Sequence, residues 1–440
     1  MDAHLAVRLA ETARDHAVPG AQLTVHREGR SRSFVTGVTE AGTADPVTPE
    51  TAFALGSVTK AFTATVTAQL VSDGDIDLDD RIVEHVPELG GPEATELSSV
   101  TIRQLLSHTA ALVADHELDN HDDASLIRYA ASAANTELLN APGTVFSYSN
   151  TGYNLLGRVI EYVTDMKWRA ALENFLLRPL GIDPLLVNDS TDRTRALATC
   201  HTVRPGDGSA HPVGLFLPQS WAPASGLAAS ADDLVRFARL HLGDRPDADV
   251  LLAAELRAEM AQAAPGADAF GMADGWGLGL ARYDSPDGVW LGHDGTVDGG
   301  TAHLRFHPDS GTALALTTNA TTGTLLWADL VGCLGRLGLA VGDYRPRLPG
   351  TARPLAADRL VGDYRNGDTS FSVRRHPTGL RLSDGTGLVA EMALHGQSVF
   401  TARRLDAQEA AYTGRFVTDP VTGEAVVLQL AGRSARRTAA

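Results

Sequence analysis

The sequence predicts two units: an α+β unit, with an antiparallel sheet flanked by helices and an all-helical subdomain, and then a small β-barrel. Strand-like alternation occurs at both ends of residues 1–343, and helical periodicity dominates from about 95 to 240. Residues 355–440 contain only short alternating runs divided by turn residues, which is typical of a barrel or sandwich. The length of 440 residues also favours two domains.

Hydrophobic spacing predicts the elements of the first unit. In chain order they are a helix over 5–17, strands over 22–27 and 33–38, a helix from Ser57 to Leu70, strands over 276–283, 289–293, 301–307 and 311–318, and a helix near 323–338. The helix that follows Gly56 is predicted to be buried, because Phe62, Val66 and Leu70 recur at helical spacing.

The second unit follows a linker, residues 344–354, that contains several prolines. Its predicted strands are 370–374, 379–382, 388–394, 399–403, 414–417 and 425–430, at intervals near ten residues. We therefore place a compact β domain at 355–440.

Composition excludes several classes of partner. The net charge of −17 argues against binding to nucleic acid or to an anionic membrane. The first residues lack the basic region of a signal peptide, and no run of 18 apolar residues occurs, so we expect a cytoplasmic location. Cys200 and Cys333 are too few for a disulfide framework.

Three patterns imitate metal or nucleotide sites, and each lacks a required feature. The acidic run 73–84 has Leu78 where a calcium loop needs glycine. The run 115–123 gathers histidines and carboxylates without a zinc-binding register. Gly275–Gly279 precedes no helix, so it is no dinucleotide fingerprint. We expect no metal and no cofactor bound to the protein itself.

Lys60 is the first candidate for chemistry. Of the 37 lysines and arginines, only Lys60 and Lys167 are lysines. A desolvated lysine can lose its proton and act as a base, whereas arginine cannot. Ser57 precedes Lys60 by three residues, so on a helix the two share a face. Ser57 is thus a candidate nucleophile, and its backbone N–H at the helix start is a candidate oxyanion donor.

Two further clusters supply polar groups of the kind that acyl transfer uses. Tyr148 and Asn150 lie two residues apart; a phenol can relay protons and an amide can hold a substrate carbonyl. His293 lies in Gly292-His293-Asp294-Gly295-Thr296, where flanking glycines let a substrate backbone approach. The N–H of Thr296 is a candidate second oxyanion donor.

In this order, S-x-x-K, Y-x-N and H-x-G resemble the motifs of the serine β-lactamase and penicillin-binding-protein family. Further matches lie at 101–110, 153–157 and 225–234, so the resemblance covers residues 1 to about 340. It implies a β-lactamase/transpeptidase-like fold, with Ser57 as nucleophile, Lys60 as base, Tyr148 as proton shuttle and Asn150 as acyl-chain ligand.

His293 stands where many relatives carry a lysine that attracts a substrate carboxylate. A neutral histidine attracts it less, and Asp294 would repel it if it faced the site. The resemblance therefore does not extend to β-lactamase or cell-wall carboxypeptidase activity.

A narrower resemblance is to the stand-alone penicillin-binding-protein-type thioesterases of nonribosomal peptide pathways, carried by 270–280, the Gly-His-Asp-Gly strand, 341–344 and the C-terminal β domain. It implies a lipocalin-like barrel and a trans-acting cyclase. Such an enzyme takes a peptide, with a D-residue at its C-terminus, from the phosphopantetheine thioester of a peptidyl carrier protein. It releases the peptide by head-to-tail macrolactamisation.

The matched segments also imply substrate contacts for Trp276 and Gly226. The arginines 433, 436 and 437 are the strongest basic patch, and Arg433 and Arg436 are candidates to face the site or the carrier phosphate. Two alternatives stay open: a hydrolase with the same motifs, such as a D-aminopeptidase, amidase or esterase, and a non-catalytic binding protein.

Overall fold

A computed structural model describes residues 2–90, 96–118, 125–189, 195–204, 206–350, 357–377, 379–385, 387–396, 398–405 and 411–438. The strands of the first unit are β1 Gly20–Arg27, β2 Arg30–Gly37, β3 Phe53–Ala54, β4 Cys200–Val203, β5 Ala210–Val213, β6 Ala228–Ala229, β7 Gly275–Trp276, β8 Ala281–Ser285, β9 Gly288–Val297, β10 Gly300–His307 and β11 Thr312–Thr318. Seven of them form one antiparallel sheet in the order β2-β1-β11-β10-β9-β8-β7.

The helices of this unit cover both faces of the sheet and extend to one side as the helical subdomain. They are α1 Asp2–Asp15, α2 Thr59–Asp73, α3 Ile82–His85, α4 Ile102–Leu106, α5 Leu126–Ala133, α6 Asn150–Thr164, α7 Trp168–Leu172, α8 Arg178–Leu180, α9 Ala222–Ser225, α10 Ala231–His241, α11 Ala248–Leu251, α12 Ala254–Ala261 and α13 Gly323–Arg336. Within the described ranges, no helix combines the length and apolar composition that crossing a membrane needs.

Side-chain alternation along β11 separates two cores. Leu314 and Leu316 pack in a cluster with residues of α1 and α13, whereas Ala313 and Ala315 pack with α2 and α10. Helix α2 lies deep inside the second cluster, and its residues from Thr59 to Leu70 are all buried. A lysine on this helix is therefore buried.

The predicted continuous strand 276–283 is wrong. The chain instead forms the short strands β7 and β8, joined by a tight turn in which Gly277 N–H donates to Leu280 O over 2.8 Å. Gly279 takes a left-handed φ of +78° there, and a Cβ at this position would collide with Ala64 of α2. Close packing of the turn on α2 explains the break in the strand.

The second unit is a closed antiparallel barrel whose strands follow one another in sequence order. After a short helix, α14 Ala357–Leu360, come β12 Gly362–Asn366, β13 Thr369–His376, β14 Gly379–Asp384, β15 Val389–His395, β16 Val399–Arg404, β17 Tyr412–Thr418, β18 Ala425–Leu430 and β19 Arg433–Arg437. Inward-facing residues such as Tyr364, Phe400 and Phe416 form a core of their own.

Sequence patterning missed two barrel strands. Strand β12 reads Gly-Asp-Tyr-Arg-Asn and β19 reads Arg-Ser-Ala-Arg-Arg, so polar residues hide the alternation. These two strands pair with each other through Tyr364–Arg437 and Arg365–Arg436, which closes the barrel. Residues 337–350, which connect the two units, contain neither helix nor strand.

Candidate active site

Ser57 and Lys60 lie together at the start of α2. A 3-10 turn, Gly56–Val58, precedes the helix, so Ser57 stands just outside the α-helix. Lys60 Nζ donates to Ser57 Oγ over 3.1 Å and to the carbonyl oxygen of Ala224 over 2.9 Å. The expected contact between the two side chains is therefore present.

The environment of Lys60 favours the neutral amine. Its side chain is completely buried, and this burial lowers the pKa of Lys60 well below the ordinary value; Arg433 lowers it further, while Asp115 opposes the shift. A neutral amine has a lone pair that can accept the proton of Ser57 Oγ, which a guanidinium cannot do.

Tyr148 lies beside this pair, with its ring centroid 4.9 Å from Lys60 Nζ. Burial raises the pKa of the Tyr148 phenol, and the neighbouring Ser57 hydroxyl and Arg433 act in the opposite direction. Although Ser57 is near enough to affect that pKa, the buried phenol oxygen makes no hydrogen bond of normal geometry to a described residue. The phenol is therefore neutral, and its oxygen is available to a reacting group.

Ser149 anchors the segment that carries Tyr148 and Asn150. Its hydroxyl accepts the N–H of Gly152 over 3.0 Å as the N-cap of α6, and it donates to Val113 O over 2.7 Å. Its backbone N–H donates over 3.1 Å to Nδ1 of His108, a buried ring that packs against Tyr148. Burial lowers the pKa of His108 well below its usual value, so Nδ1 keeps the lone pair that this bond needs.

Asn150 is linked to the barrel through a carboxylate. Asn150 Nδ2 donates to Asp115 Oδ1 over 2.6 Å, and Arg433 Nη1 from the first residue of β19 donates to Asp115 Oδ2 over 3.2 Å. The structure thus brings two predicted substrate-contacting residues, Asn150 and Arg433, to the same carboxylate.

The turn between β18 and β19 presses on the same segment from the barrel side. Gly432 O accepts the backbone N–H of Tyr148 over 2.9 Å. The side chains of Gln429 and Ser434 donate to Phe146 O over 3.2 Å and 2.9 Å. The barrel therefore fixes the backbone on which the phenol of Tyr148 is mounted.

His293 lies on β9, near the rings of Trp276 and Tyr148. Its Nδ1 donates to the carbonyl oxygen of Asp294 over 2.6 Å, because a carbonyl can only accept. Nε2 therefore carries the lone pair, and this buried atom has no hydrogen-bond partner among the described residues. Burial lowers the pKa of His293 to about 3, so the ring is neutral.

Asp294 is fully engaged by a separate cluster of side chains. Its carboxylate accepts two N–H groups of the buried Arg305 over 2.8 and 2.9 Å and one from His303 over 2.7 Å. Burial acts to raise the pKa of Asp294, but Arg305 and His303 outweigh it and hold the pKa below its usual range. Because its charge is neutralised by these partners, the repulsion considered from the sequence does not arise.

The end of β9 lies against the turn that holds Ser57. A Cβ added to Gly56 would stand 2.5 Å from Thr296 O and 3.1 Å from Thr296 N, and a Cβ on Gly295 would collide with Leu55 O. The backbones of 55–58 and 295–296 therefore touch, which places the two candidate oxyanion donors side by side. Gly56 itself has a φ of +51°.

Of the other predicted contacts, two lie beside the site and one does not. Trp276 is buried against Tyr148, His108 and His293. Gly226 N–H donates to Ala222 O and ends α9, whose Ala224 holds Lys60. Arg436 instead lines a cavity of about 1050 Å³ between the helical subdomain and the barrel, because it points away from Arg433 along β19.

His108, Asp115 and Gly432 are the residues of the site that sequence reasoning missed. His108 lies within the segment 101–110 that was recognised, which was a usable signal. Asp115 begins the run 115–123, whose resemblance to a metal site conceals its role; residues 119–123 lie outside the described part of the chain. Gly432 offered no signal, because its contact with Tyr148 joins distant segments.

Comparisons with known proteins show the family of the chain. A family model described as "Beta-lactamase" matches residues 5–329. Penicillin-binding protein 4 of Amycolatopsis lactamdurans is 36% identical over 371 residues, which cover 82% of this chain and 97% of that protein.

Similar solved structures include both units. The crystal structure of SurE is 41% identical, with a TM-score of 0.87 and 99% of each chain covered. A structure of SurE with D-Leu is 40% identical, with a TM-score of 0.86 and the same coverage. The octameric penicillin-binding protein homologue from Pyrococcus abyssi, 21% identical with a TM-score of 0.66 over 99% of both chains, shows the likeness of fold alone.

Proposed function

The chain belongs to the β-lactamase and penicillin-binding-protein family, and within it we propose a trans-acting peptide cyclase that transfers a peptidyl group from a thioester, through Ser57, to an amine. The substrate is a nonribosomal peptide on the phosphopantetheine arm of a peptidyl carrier protein. Closure of the peptide's own N-terminal amine onto the acyl group gives a head-to-tail macrolactam.

The first half of the reaction uses the Ser57–Lys60 pair. Neutral Lys60 takes the proton of Ser57 Oγ while Oγ attacks the thioester carbonyl carbon. The backbone N–H groups of Ser57 and Thr296 hold the negative oxygen of the tetrahedral intermediate. Collapse breaks the carbon–sulfur bond, the proton taken up by Lys60 passes through Tyr148 to the leaving sulfur, and the peptidyl group remains as an ester on Ser57.

The second half uses Tyr148 and His293. The incoming amine attacks the ester carbon and loses a proton through the phenol oxygen of Tyr148, and Ser57 Oγ recovers a proton as it leaves. The unpartnered lone pair on His293 Nε2 can accept an N–H of the incoming amine, which would orient it for attack.

The observation that carries this proposal is the neutral His293 beside an otherwise complete serine–lysine–tyrosine site. A neutral acceptor gives no charge attraction to a free substrate carboxylate, which a β-lactam or a stem peptide presents. A thioester has no such carboxylate, so it suits this site better.

The comparisons bear on the configuration of the donor and on its source. The similar SurE was solved with D-Leu, which supports a D-configured residue at the C-terminus of the peptide. A carrier-bound peptide also implies a cytoplasmic enzyme that meets its substrate on the synthetase.

Synthetic peptidyl thioesters of N-acetylcysteamine, ending in a D- or an L-residue, test the proposal. Chromatography should show mainly cyclic product from the D donor, little turnover of the L donor, and none with Ser57→Ala. An amine can outcompete water only when the bound chain is folded back, and effective molarities of about 10⁵ M or more are available to well-oriented groups. Predominantly linear acid from every donor would assign the protein to the hydrolases of the family instead, as a D-aminopeptidase, amidase or esterase.

A further inference from the structure

The carboxylate of Asp115 joins functional groups from both units. Its Oδ1 accepts from Asn150 Nδ2 over 2.6 Å, and its Oδ2 accepts from Arg433 Nη1 over 3.2 Å. The Asp115 side chain is 30% exposed, so it lies at the open edge of the site rather than beneath it.

The backbone that carries Asp115 is held from two sides. Asn150 N–H donates to Ala114 O over 2.8 Å, next to the bond from Ser149 Oγ to Val113 O. From the barrel, Asn366 Oδ1 accepts the N–H of Ala114 over 2.7 Å. Asp115 therefore has a defined position relative to both Asn150 and Arg433.

The charges of Asp115 and Arg433 both affect the pKa values of the reacting groups. Arg433 lowers the pKa of Lys60 and of Tyr148, and Asp115 raises both. The two opposite charges partly cancel, so the pair can stand at the site without strongly biasing the chemistry there.

Asp115 also dictates the orientation of the Asn150 amide. An ionised carboxylate can only accept hydrogen bonds, so the amide must turn Nδ2 toward it. This leaves Asn150 Oδ1 on the other side, where it is buried without a partner among the described residues. A buried free carbonyl oxygen is costly unless a ligand supplies an N–H.

We propose that Asp115 is a positioning residue that holds the Asn150 amide oxygen and the Arg433 guanidinium ready for a peptide group of the acyl donor. The free Oδ1 accepts the backbone N–H of the residue whose carbonyl is transferred to Ser57. Asp115 thereby makes the enzyme prefer aminoacyl and peptidyl donors to simple acyl groups. This specificity rests on the proposed acyl transfer but not on cyclisation.

Two short thioesters that cannot cyclise separate these roles. Acetyl and N-acetyl-D-alanyl thioesters of N-acetylcysteamine differ by one amide-bearing residue, and thiol release measures both. We expect Asp115→Ala to lower kcat/KM for the N-acetyl-D-alanyl donor about tenfold more than for the acetyl donor, mostly through KM, because a lost hydrogen bond to a bound group costs roughly that much. Asp115→Asn keeps an acceptor, so it should recover part of the loss.

Asp268→Ala is the matched control. Asp268 pairs with Arg415 over 2.6 Å across the same two units. Asp268→Ala should leave unchanged the ratio of kcat/KM for the N-acetyl-D-alanyl donor to kcat/KM for the acetyl donor. If Asp115 had only a structural role, Asp115→Ala would lower kcat/KM equally for both donors, and this result would overturn the proposal.

Double variants provide a second check. If Asp115 acts through Asn150, Asp115→Ala combined with Asn150→Ala should lower the ratio of kcat/KM for the two donors no further than Asn150→Ala does alone. Additive losses would also overturn the proposal. Linear product from long donors would refute only cyclisation, whereas thiol release from neither thioester by the wild-type enzyme would refute the proposed acyl transfer itself.

Discussion

The two walls of the site are built in different ways. The wall with Ser57 and Lys60 comes from one short stretch at the start of α2, and Lys60 is held by α9 of the same unit. The wall with Tyr148 and Asn150 is assembled from His108, the segment 113–115 and the barrel turn at Gly432. The first wall is local, whereas the second depends on long-range contacts and on the barrel.

This difference separates acylation from substrate handling. The nucleophile and its base need only a correctly folded helix, so their pairing survives changes in the second unit. The proton shuttle and the acyl-chain ligand need the barrel in place, because it supplies hydrogen bonds to residues 114, 146 and 148. Variants of each wall should therefore fail in different ways.

The largest effect is expected from Ser57→Ala. Without the nucleophile no acyl-enzyme can form, so turnover should fall by on the order of 10³-fold or more. Mass spectrometry of the wild-type enzyme with a slow donor should find the adduct on the Ser57 peptide. An adduct on Ser149 would contradict the assignment of the local wall.

Lys60→Arg should lower kcat/KM by about 10²-fold or more, nearly as much as Lys60→Ala. Arginine cannot take up the Ser57 proton, and its larger guanidinium would have to fit at a completely buried position beside Ala224 O. Lys167→Arg, at the exposed second lysine, is the control and should leave kcat/KM unchanged. Full activity of Lys60→Arg would show that Lys60 is only a structural cation.

Removal of the barrel, leaving residues 1–348, should preserve the wall with Ser57 and Lys60 and disturb the wall with Tyr148 and Asn150. The two cores of the first unit contain no barrel residue, so this fragment should fold and Ser57 should still be labelled. Peptide processing should fall by about 10- to 100-fold, because Tyr148 loses its backbone partner. If the fragment cyclised peptides as fast as the full chain, the barrel would have no role in positioning Tyr148.

Gly432→Ala tests the same dependence with one methyl group. A Cβ there would collide with Met272 Sδ, which can move, so a loss of roughly 3- to 10-fold is expected rather than inactivation. Gly29→Ala is the matched control: its φ of +71° nearly equals the +74° of Gly432, and nothing lies within 4 Å of the added carbon. Equal activity of both variants would mean that the turn does not position Tyr148.

The smallest expected effect is a loss of stability at acidic pH. Burial lowers the pKa of His241, which is remote from both walls, to about 3, and it lowers the pKa of His108 in the assembled wall in the same direction. Because the unfolded chain binds these protons first, stability present above pH 6.5 is lost as the pH falls toward 3.

Urea unfolding between pH 7.5 and 5 should detect this loss. His241→Gln can keep the bond to Thr65. It should reduce the slope of the free energy of unfolding against pH by up to about 1.4 kcal/mol per pH unit, and its activity at neutral pH should equal that of the wild-type enzyme. An unchanged slope would mean that His241 is already protonated in the folded protein.

Much of the fold could be predicted because its signals are local. Period-two alternation located most strands of the sheet and six of the eight barrel strands, and the i, i+3 spacing placed Ser57 beside Lys60. Where local signals conflicted with packing, the prediction failed: the run 276–283 alternates as a strand, yet Gly279 turns because α2 lies against it.

The sequence by itself determined the reactive groups, the order of the motifs and the division into α+β and β segments, because each depends on residues a few positions apart. Only the tertiary structure decided that Asp115 joins Asn150 to Arg433, that Asp294 is neutralised by Arg305, and that Gly432 holds Tyr148. These contacts span from 11 to 318 residues of chain. Periodicity in the sequence does not predict such a contact, because the contact forms only when separate segments fold against each other and buried polar groups must find partners.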